Sequence, residues 1–306
     1  MTTTLSAPIV RPAPRTRIRA LAISGGVLAG VLLAFLWSPK LVDTFGVDTA
    51  SSVLGHDARH TAIGGWLAGA VFAFVSGFAG TFTACNIAVF GALPSLAGQR
   101  SGPGARVRAA AGPVGWLSVG LLSVAAVYGF LAVLLGHRLP QLSTGTVDGR
   151  LPERLLQSVV VFGVVGLAFG YLGLAALGVL PDPFAGRPRA RLITLGALIG
   201  GFLVGRPYPM FHQLLDYAVA TRQPLYGALT LCLQALGNIL VIALLAAVFA
   251  LSTGPAAARW LARPGRIAVI SGVALLALGT FMVVYWDVRL PAIFGYGWFP
   301  TAPWNS

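Results

Sequence analysis

A cysteine inside an interrupted apolar segment is the first feature of this sequence that could do chemistry. Cys85 and Asn86 follow the run Gly-Thr-Phe-Thr-Ala, in which Thr81 and Thr83 bring hydroxyls into an apolar stretch. A helix that restarts at Cys85 would favour a thiolate there, and the thiolate is the reactive form of cysteine. We therefore predict a functional thiol at Cys85, with Thr81, Thr83 and Asn86 lining its site. The alternatives are a cysteine that packs as a small apolar residue and polar neighbours that only cap helix ends.

A second interruption contains Arg206-Pro207-Tyr208-Pro209. The two prolines lack a backbone donor and predict a helix break. An arginine inside an apolar segment is costly and usually functional, so Arg206 could attract an anion or pair with Asp216 or a helix carbonyl. Alternatively, the helix ends there and the arginine side chain reaches the membrane surface. We predict that these four residues line the opposing half of the site.

His212 and Cys232 complete the set of candidate site residues. His212 and Asp216 are four positions apart on a predicted helix, which favours a proton relay, a weak metal site or a polar interfacial face. Two ligands are too few for a metal site, so we predict neither a metal nor a cofactor. Cys232 lies near Gln234 in another apolar segment, where it is either a second thiol or part of an inter-helix hydrogen-bond set.

The composition places these residues in a membrane. Hydrophobic residues make up 57% of the 306 residues and charged ones 9%, whereas soluble domains have about 25% charged residues. The apolar residues form blocks of about 20 or more, the length that crosses a bilayer. We predict an all-α polytopic integral membrane protein with about seven transmembrane helices. The expected spans are residues 18–37, 62–96, 114–135, 155–180, 192–220, 225–251 and 267–286.

The charge pattern predicts a partner and an orientation. The net charge is +13, but the arginines lie in the connections between apolar segments. In these positions they favour contact with a lipid bilayer and not with a nucleic acid. They are most frequent in the N-terminal tail and in alternate connections, which predicts a cytoplasmic N-terminus and an exterior C-terminus.

Two groups of three spans follow the first span, and each group opens with an interrupted segment. Three spans are an odd number, so the second group enters the membrane from the opposite side and the groups would be inverted repeats. We predict five regions. They are a disordered cytoplasmic tail (residues 1–17), a first helix with an exterior loop (18–61), a first repeat (62–180), a second repeat (181–286) and an exterior aromatic tail (287–306).

The stretch from Val75 to Pro94, which contains Cys85, resembles the first repeat of the cytochrome c biogenesis thiol-disulfide membrane proteins. That resemblance implies a bacterial inner-membrane protein with two inverted three-helix repeats and a Cys-Pro motif in each. It also implies transfer of reducing equivalents from a thioredoxin-like protein to exterior thiol proteins. Here Asn86 replaces the proline of the first motif, and Tyr208 replaces the cysteine of the second. Cys232 is then the candidate second thiol.

A different function is compatible with the same arrangement. Discontinuous helices that meet near the bilayer midplane form the binding sites of many secondary transporters. Cys85, Asn86 and Arg206 would then bind a small solute, an ion or a metal. A third alternative is a structural or assembly subunit without chemistry of its own.

Overall fold

The computed structural model of the chain describes residues 16–55, 57–58, 63–80, 103–252, 263 and 265–304. Six helices in these ranges are long and apolar enough to cross a membrane. The prediction of an all-α polytopic membrane protein is therefore confirmed at this level. The six candidate spans are Thr16–Leu36, Ala111–Arg138, Glu153–Ala176, Pro188–Gly205, Pro224–Val248 and Arg266–Ile293.

The elements follow one another with short connections. The helices are α1 (Thr16–Leu36), α2 (Pro39–Leu54), α3 (Trp66–Ala79), α4 (Pro103–Leu135), α5 (Glu153–Ala176), α6 (Pro188–Gly205), α7 (Pro209–Ala220), α8 (Pro224–Ser252), α9 (Arg266–Met282) and α10 (Leu290–Ile293). A π-helical segment, Val283–Arg289, joins α9 to α10 without a break. Two 3-10 turns, Gly136–Arg138 and Pro140–Leu142, follow α4. A two-residue hairpin, β1 (Thr146–Val147) with β2 (Leu151–Pro152), precedes α5.

The second interrupted segment breaks where its prolines predict. Helix α6 ends at Gly205 and α7 begins at Pro209. Arg206 and Tyr208 are both extended, with φ/ψ of −86°/120° and −86°/131°, because a proline disfavours helical angles in the residue before it. The backbone therefore leaves the helix at Arg206 and re-enters it at Pro209.

The first interrupted segment begins as a short helix. Helix α3 has 14 residues, which is about 21 Å at 1.5 Å per residue and less than the roughly 30 Å of a hydrocarbon core. It ends at Ala79, with Gly80 as its C-cap. The rest of this segment lies outside the described residues, including four candidate site residues: Thr81, Thr83, Cys85 and Asn86.

Helix α3 crosses α8 at two glycines. A Cβ on Gly77 would collide with the backbone of Gln234, and a Cβ on Gly237 would collide with the carbonyl of Phe74. The two helices therefore touch backbone to backbone, which only glycine allows at this distance. Because Gln234 lies near the middle of α8, α3 ends close to the middle of that span.

Helix α6 crosses α4 in the same manner. A Cβ on Gly196 would collide with the carbonyl of Leu117, and one on Gly120 would collide with the carbonyl of Ile193. Gly196 lies 119 positions after Gly77. The partner helix repeats the crossing at a similar distance, since Gly237 lies 117 positions after Gly120.

The central helices α4 and α8 run antiparallel. Gly129 packs against Gly227 near one end of the pair. Further along α4, the carbonyl of Leu122 receives the thiol of Cys232 from α8. The contacts thus descend along α4 as they ascend along α8.

Helices α5 and α9 form a second antiparallel pair. Gly166 lies against Gly279, and Gly173 lies against Gly272. Helix α1 packs outside this pair and parallel to α9, where Gly30 contacts the backbone of Ala277. The bundle therefore has α4 and α8 at its centre, with the interrupted segments packed against them.

Two parts of the chain are more helical than we expected from the sequence. The connection expected between Trp37 and Thr61 contains α2, whose Val47 and Ala50 are buried. The last span was expected to end at Trp286, but the helix continues to Ile293. It continues because Arg289 does not have to leave the protein: its guanidinium is buried and hydrogen-bonded to the end of α1.

Candidate site at the broken helices

Arg206 joins the two interrupted segments. Its Nη1 donates a hydrogen bond to the carbonyl of Gly80 at 3.1 Å, across 126 positions of sequence. Of the interactions considered for this arginine, pairing with a carbonyl of a broken helix is the one formed. The ends of α3 and α6 therefore meet at one point inside the bundle.

The pairing of Arg206 with Gly80 has a simple electrostatic basis. The last carbonyls of a helix have no partner within that helix, and the helix dipole makes this end negative. Helices α3 and α6 both point their C-terminal ends at the meeting point. A guanidinium placed there supplies positive charge and donors to the exposed carbonyl of α3.

Tyr208 supports the Arg206 guanidinium from one side. The guanidinium carbon lies 4.3 Å from the centre of the Tyr208 ring, a favourable cation–π distance. The ring is 2% exposed, and its hydroxyl donates to the Sδ of Met210 at 3.5 Å. A Cβ on Gly46 of α2 would lie 2.8 Å from that hydroxyl. Tyr208 therefore fills the space between the break and α2 and holds the arginine in place.

Two glutamines hold the C-terminal end of α6. Gln157 Nε2 donates to the carbonyl of Val204 at 2.7 Å, and Gln141 Nε2 donates to that of Arg206 at 3.0 Å. Gln157 also reaches the hydroxyl of Tyr128 at 3.2 Å. These bonds satisfy carbonyls that the break releases from the helix.

The same glutamines leave acceptor oxygens beside the break. The Oε1 atoms of Gln141 and Gln157 are buried and have no hydrogen-bond partner among the described residues. Gln141 is 1% exposed. A buried carbonyl oxygen without a donor is costly, so these atoms are ready acceptors for a polar ligand.

His212 lies close to the break in sequence but faces elsewhere. Its Nε2 lies 3.3 Å from Asp216 Oδ2, and the two side chains are 39% and 47% exposed. The pair therefore forms an exposed polar face of α7, as one of the alternatives for it predicted. The described residues hold no cluster of three or more metal-ligating side chains.

Cys232 faces α4 and not the end of α3. Its half-buried thiol lies 3.8 Å from the carbonyl of Leu122. Two positions on, Gln234 turns toward α3 and donates to Ser76 Oγ at 3.2 Å. Cys232 thus belongs to the contact between the central helices.

Three buried polar residues were not singled out from the sequence. Gln141 and Gln157 stand beside exposed connections, so no local pattern distinguishes them. Arg289 follows an apolar run, and an arginine at such a position is a signal that could have identified it. Its Nη1 donates to the carbonyls of Ala34 and Trp37, both at 2.8 Å.

The chain matches no family model, no curated protein and no solved structure. Its functional conclusion therefore rests on its own residues and their contacts.

Proposed function

We propose that this integral membrane protein is a carrier built from two inverted three-helix repeats, with its functional centre where the broken helices meet. The observation that carries this proposal is the hydrogen bond from Arg206 to Gly80. Discontinuous helices that meet inside a bundle are the usual location of binding and coupling sites in carriers.

The matched glycine crossings support the repeat. Exchanging α3 with α6 and α4 with α8 turns the crossing at Gly77 into the crossing at Gly196. Two helices related by a two-fold axis in the membrane plane must run antiparallel. The pairs α4 with α8 and α5 with α9 both run antiparallel, which agrees with such an axis.

The chemistry that we propose is thiol–disulfide transfer at Cys85, as the resemblance to the cytochrome c biogenesis proteins implies. Cys85 follows Gly80 by five positions in the chain, so its segment starts at the carbonyl held by Arg206. In the proposed reaction the Cys85 thiolate attacks a disulfide of an exterior protein, forms a mixed disulfide and releases one thiolate. A second thiol then attacks Cys85, frees the reduced exterior protein and leaves a new disulfide.

The second thiol has two candidate sources. Cys232 is one, but its thiol contacts α4, whereas the Cys85 segment continues from α3. We therefore assign the resolving thiol to a thioredoxin-like partner on the cytoplasmic side, which becomes oxidised in a mixed disulfide with Cys85 and then reduced again by its own second thiol.

Trapping of thiols with a mass tag tests this proposal. The wild-type chain is compared with the variants Cys85→Ser and Cys232→Ser in cells that lack the native gene, under oxidising and reducing conditions. We expect redox-dependent tagging of Cys85 and a mixed disulfide with a partner that disappears only in Cys85→Ser. If Cys85 stays fully reduced and exterior thiol proteins are unaffected in Cys85→Ser, the proposed chemistry is wrong.

The alternative function is secondary transport of a small solute or ion. The observation that favours it is the pair of buried, unpartnered acceptor oxygens on Gln141 and Gln157 at the break. Such oxygens select for a cation or for a solute with N–H or O–H donors. In the mass-tag experiment, full activity without redox change at either cysteine would favour transport over thiol exchange.

A further inference from the structure

A carboxyl group lies inside the last membrane helix, away from the broken helices. Asp287 belongs to the π-helical segment Val283–Arg289 within the continuous span Arg266–Ile293. π-helical turns are rare and occur often at functional positions. An ionisable residue inside a span is likewise costly unless it has a role.

The carboxyl group of Asp287 packs against bare backbone. A Cβ on Gly163 of α5 would lie 2.6 Å from Asp287 Oδ1, so the glycine makes room for the carboxyl. The other oxygen, Oδ2, is buried and has no hydrogen-bond partner among the described residues. The neighbouring Trp286 ring stacks on Phe162 at 4.2 Å, which holds this face of the π segment against α5.

The cation closest to Asp287 in sequence faces a different helix. Arg289 donates to Ala34 and Trp37 at the end of α1, whereas Asp287 faces α5. Two positions correspond to about half a turn of a helix, so the two side chains leave on opposite sides. Arg289 therefore serves α1 and does not pair with Asp287 in the described contacts.

Other charged groups on the packed helices lie far along the chain from the contact. On α5, Glu153 and Arg154 are nine or more positions from Gly163. On α1, Arg17 and Arg19 lie at the end opposite to Ala34, and on α9 Arg266 lies at the start of the helix. On the π segment itself, Tyr285 stacks on Phe281 at 5.4 Å.

We propose that Asp287, packed against Gly163, is a proton-binding site of this membrane protein. A bare carboxylate among apolar side chains is strongly disfavoured, and binding a proton removes the charge. The loss of that proton would leave an unpaired negative charge beside α5. The site is thus a place where proton binding is tied to the packing of α5 against α9.

Carbodiimide labelling tests this proposal independently of the redox chemistry. Dicyclohexylcarbodiimide is apolar, enters the bilayer and adds to protonated carboxyl groups, with the carboxyl oxygen bonding to the carbodiimide carbon and the proton moving to nitrogen. The full chain is labelled in liposomes over a series of pH values, and the modified residues are mapped by peptide mass spectrometry. We expect labelling of Asp287 that falls about tenfold for each pH unit above its midpoint.

Exposed carboxyl groups provide the control in the same sample. Asp216 and Asp148 lie on exposed surfaces, and we expect them to stay unlabelled at the same pH. The variant Asp287→Asn keeps the shape of the protonated side chain, so it should fold like the wild type and lose the label. Absence of labelling at Asp287 at every pH, or unchanged total labelling in folded Asp287→Asn, would overturn the proposal.

Discussion

At the scale of single residues, two arginines stabilise helix ends inside the bundle. Arg206 binds the carbonyl of Gly80, and Arg289 binds those of Ala34 and Trp37. In each case the cation meets the negative end of a helix from another part of the chain. Arg206 also stacks on Tyr208, so its position depends on an aromatic ring as well as on a hydrogen bond. The guanidinium thus links the chemistry expected of the first segment to the geometry of the second.

Removing the charge of Arg206 should weaken the fold at the break. The variant Arg206→Gln loses a charged hydrogen bond and a cation–π contact, so we expect a loss of about 1.5–3 kcal/mol in the free energy of unfolding. Thermal unfolding of the purified chain in detergent measures this effect. Arg154→Gln is the control, because Arg154 is exposed at the start of α5 and should change stability little. Equal unfolding temperatures for the two variants would contradict the assigned role of Arg206.

At the scale of elements, glycine crossings determine how close the helices come. Helix α4 carries two glycines of opposite character: a Cβ on Gly120 would collide with the backbone of α6, whereas one on Gly115 would meet nothing within 4 Å. The crossing of α3 with α8 uses Gly77 and Gly237 in the same way. Small residues of this kind allow van der Waals contact between backbones, which is a main source of helix association in lipid.

The two glycines of α4 make a matched pair for mutation. Gly120→Ala should force α4 and α6 apart and cost about 1–3 kcal/mol. Gly115→Ala should be neutral or slightly stabilising, because alanine is the better helix former by about 1 kcal/mol. Unfolding temperature and the yield of monodisperse protein measure both effects. A Gly120→Ala variant as stable as Gly115→Ala would show that the helices do not cross this closely.

At the scale of the whole molecule, the chain is a helical bundle with a lipid-facing exterior. Large apolar side chains on the outside of α1 and α5, such as Leu21 and Leu167, are 74% and 68% exposed, as lipid contact requires. Beyond α10, Trp298 is 80% exposed, and Trp304 meets Phe35 of α1 edge to face at 6.0 Å. Aromatic residues at such an end favour the interface between lipid and water.

The arginine pattern leads us to expect the start of α6 in the cytoplasm and the C-terminal end outside. The test uses single cysteines introduced by Arg187→Cys or Thr301→Cys in a chain whose native cysteines are replaced by serine. Both positions are exposed. A membrane-impermeant maleimide should label Thr301→Cys in intact cells and Arg187→Cys only after permeabilisation. The reverse labelling would invert the proposed orientation.

The second break could be predicted from the sequence, because proline acts on its own backbone and on the residue before it. Pro207 and Pro209 thus explain why α6 ends at Gly205 and why Arg206 and Tyr208 are extended. The expected limits of the last span were less accurate. The buried hydrogen bonds of Arg289 allow the helix to continue to Ile293, and no local pattern records those bonds.

The sequence by itself determined the membrane class and the second break, since hydropathy and proline geometry are properties of neighbouring residues. Only the tertiary structure decided that Arg206 meets Gly80, that Cys232 faces α4 and that Asp287 lies against Gly163. Each of these contacts joins residues far apart in the chain. Their meeting depends on how the helices pack, and packing is decided by the summed fit of many side chains and glycine crossings.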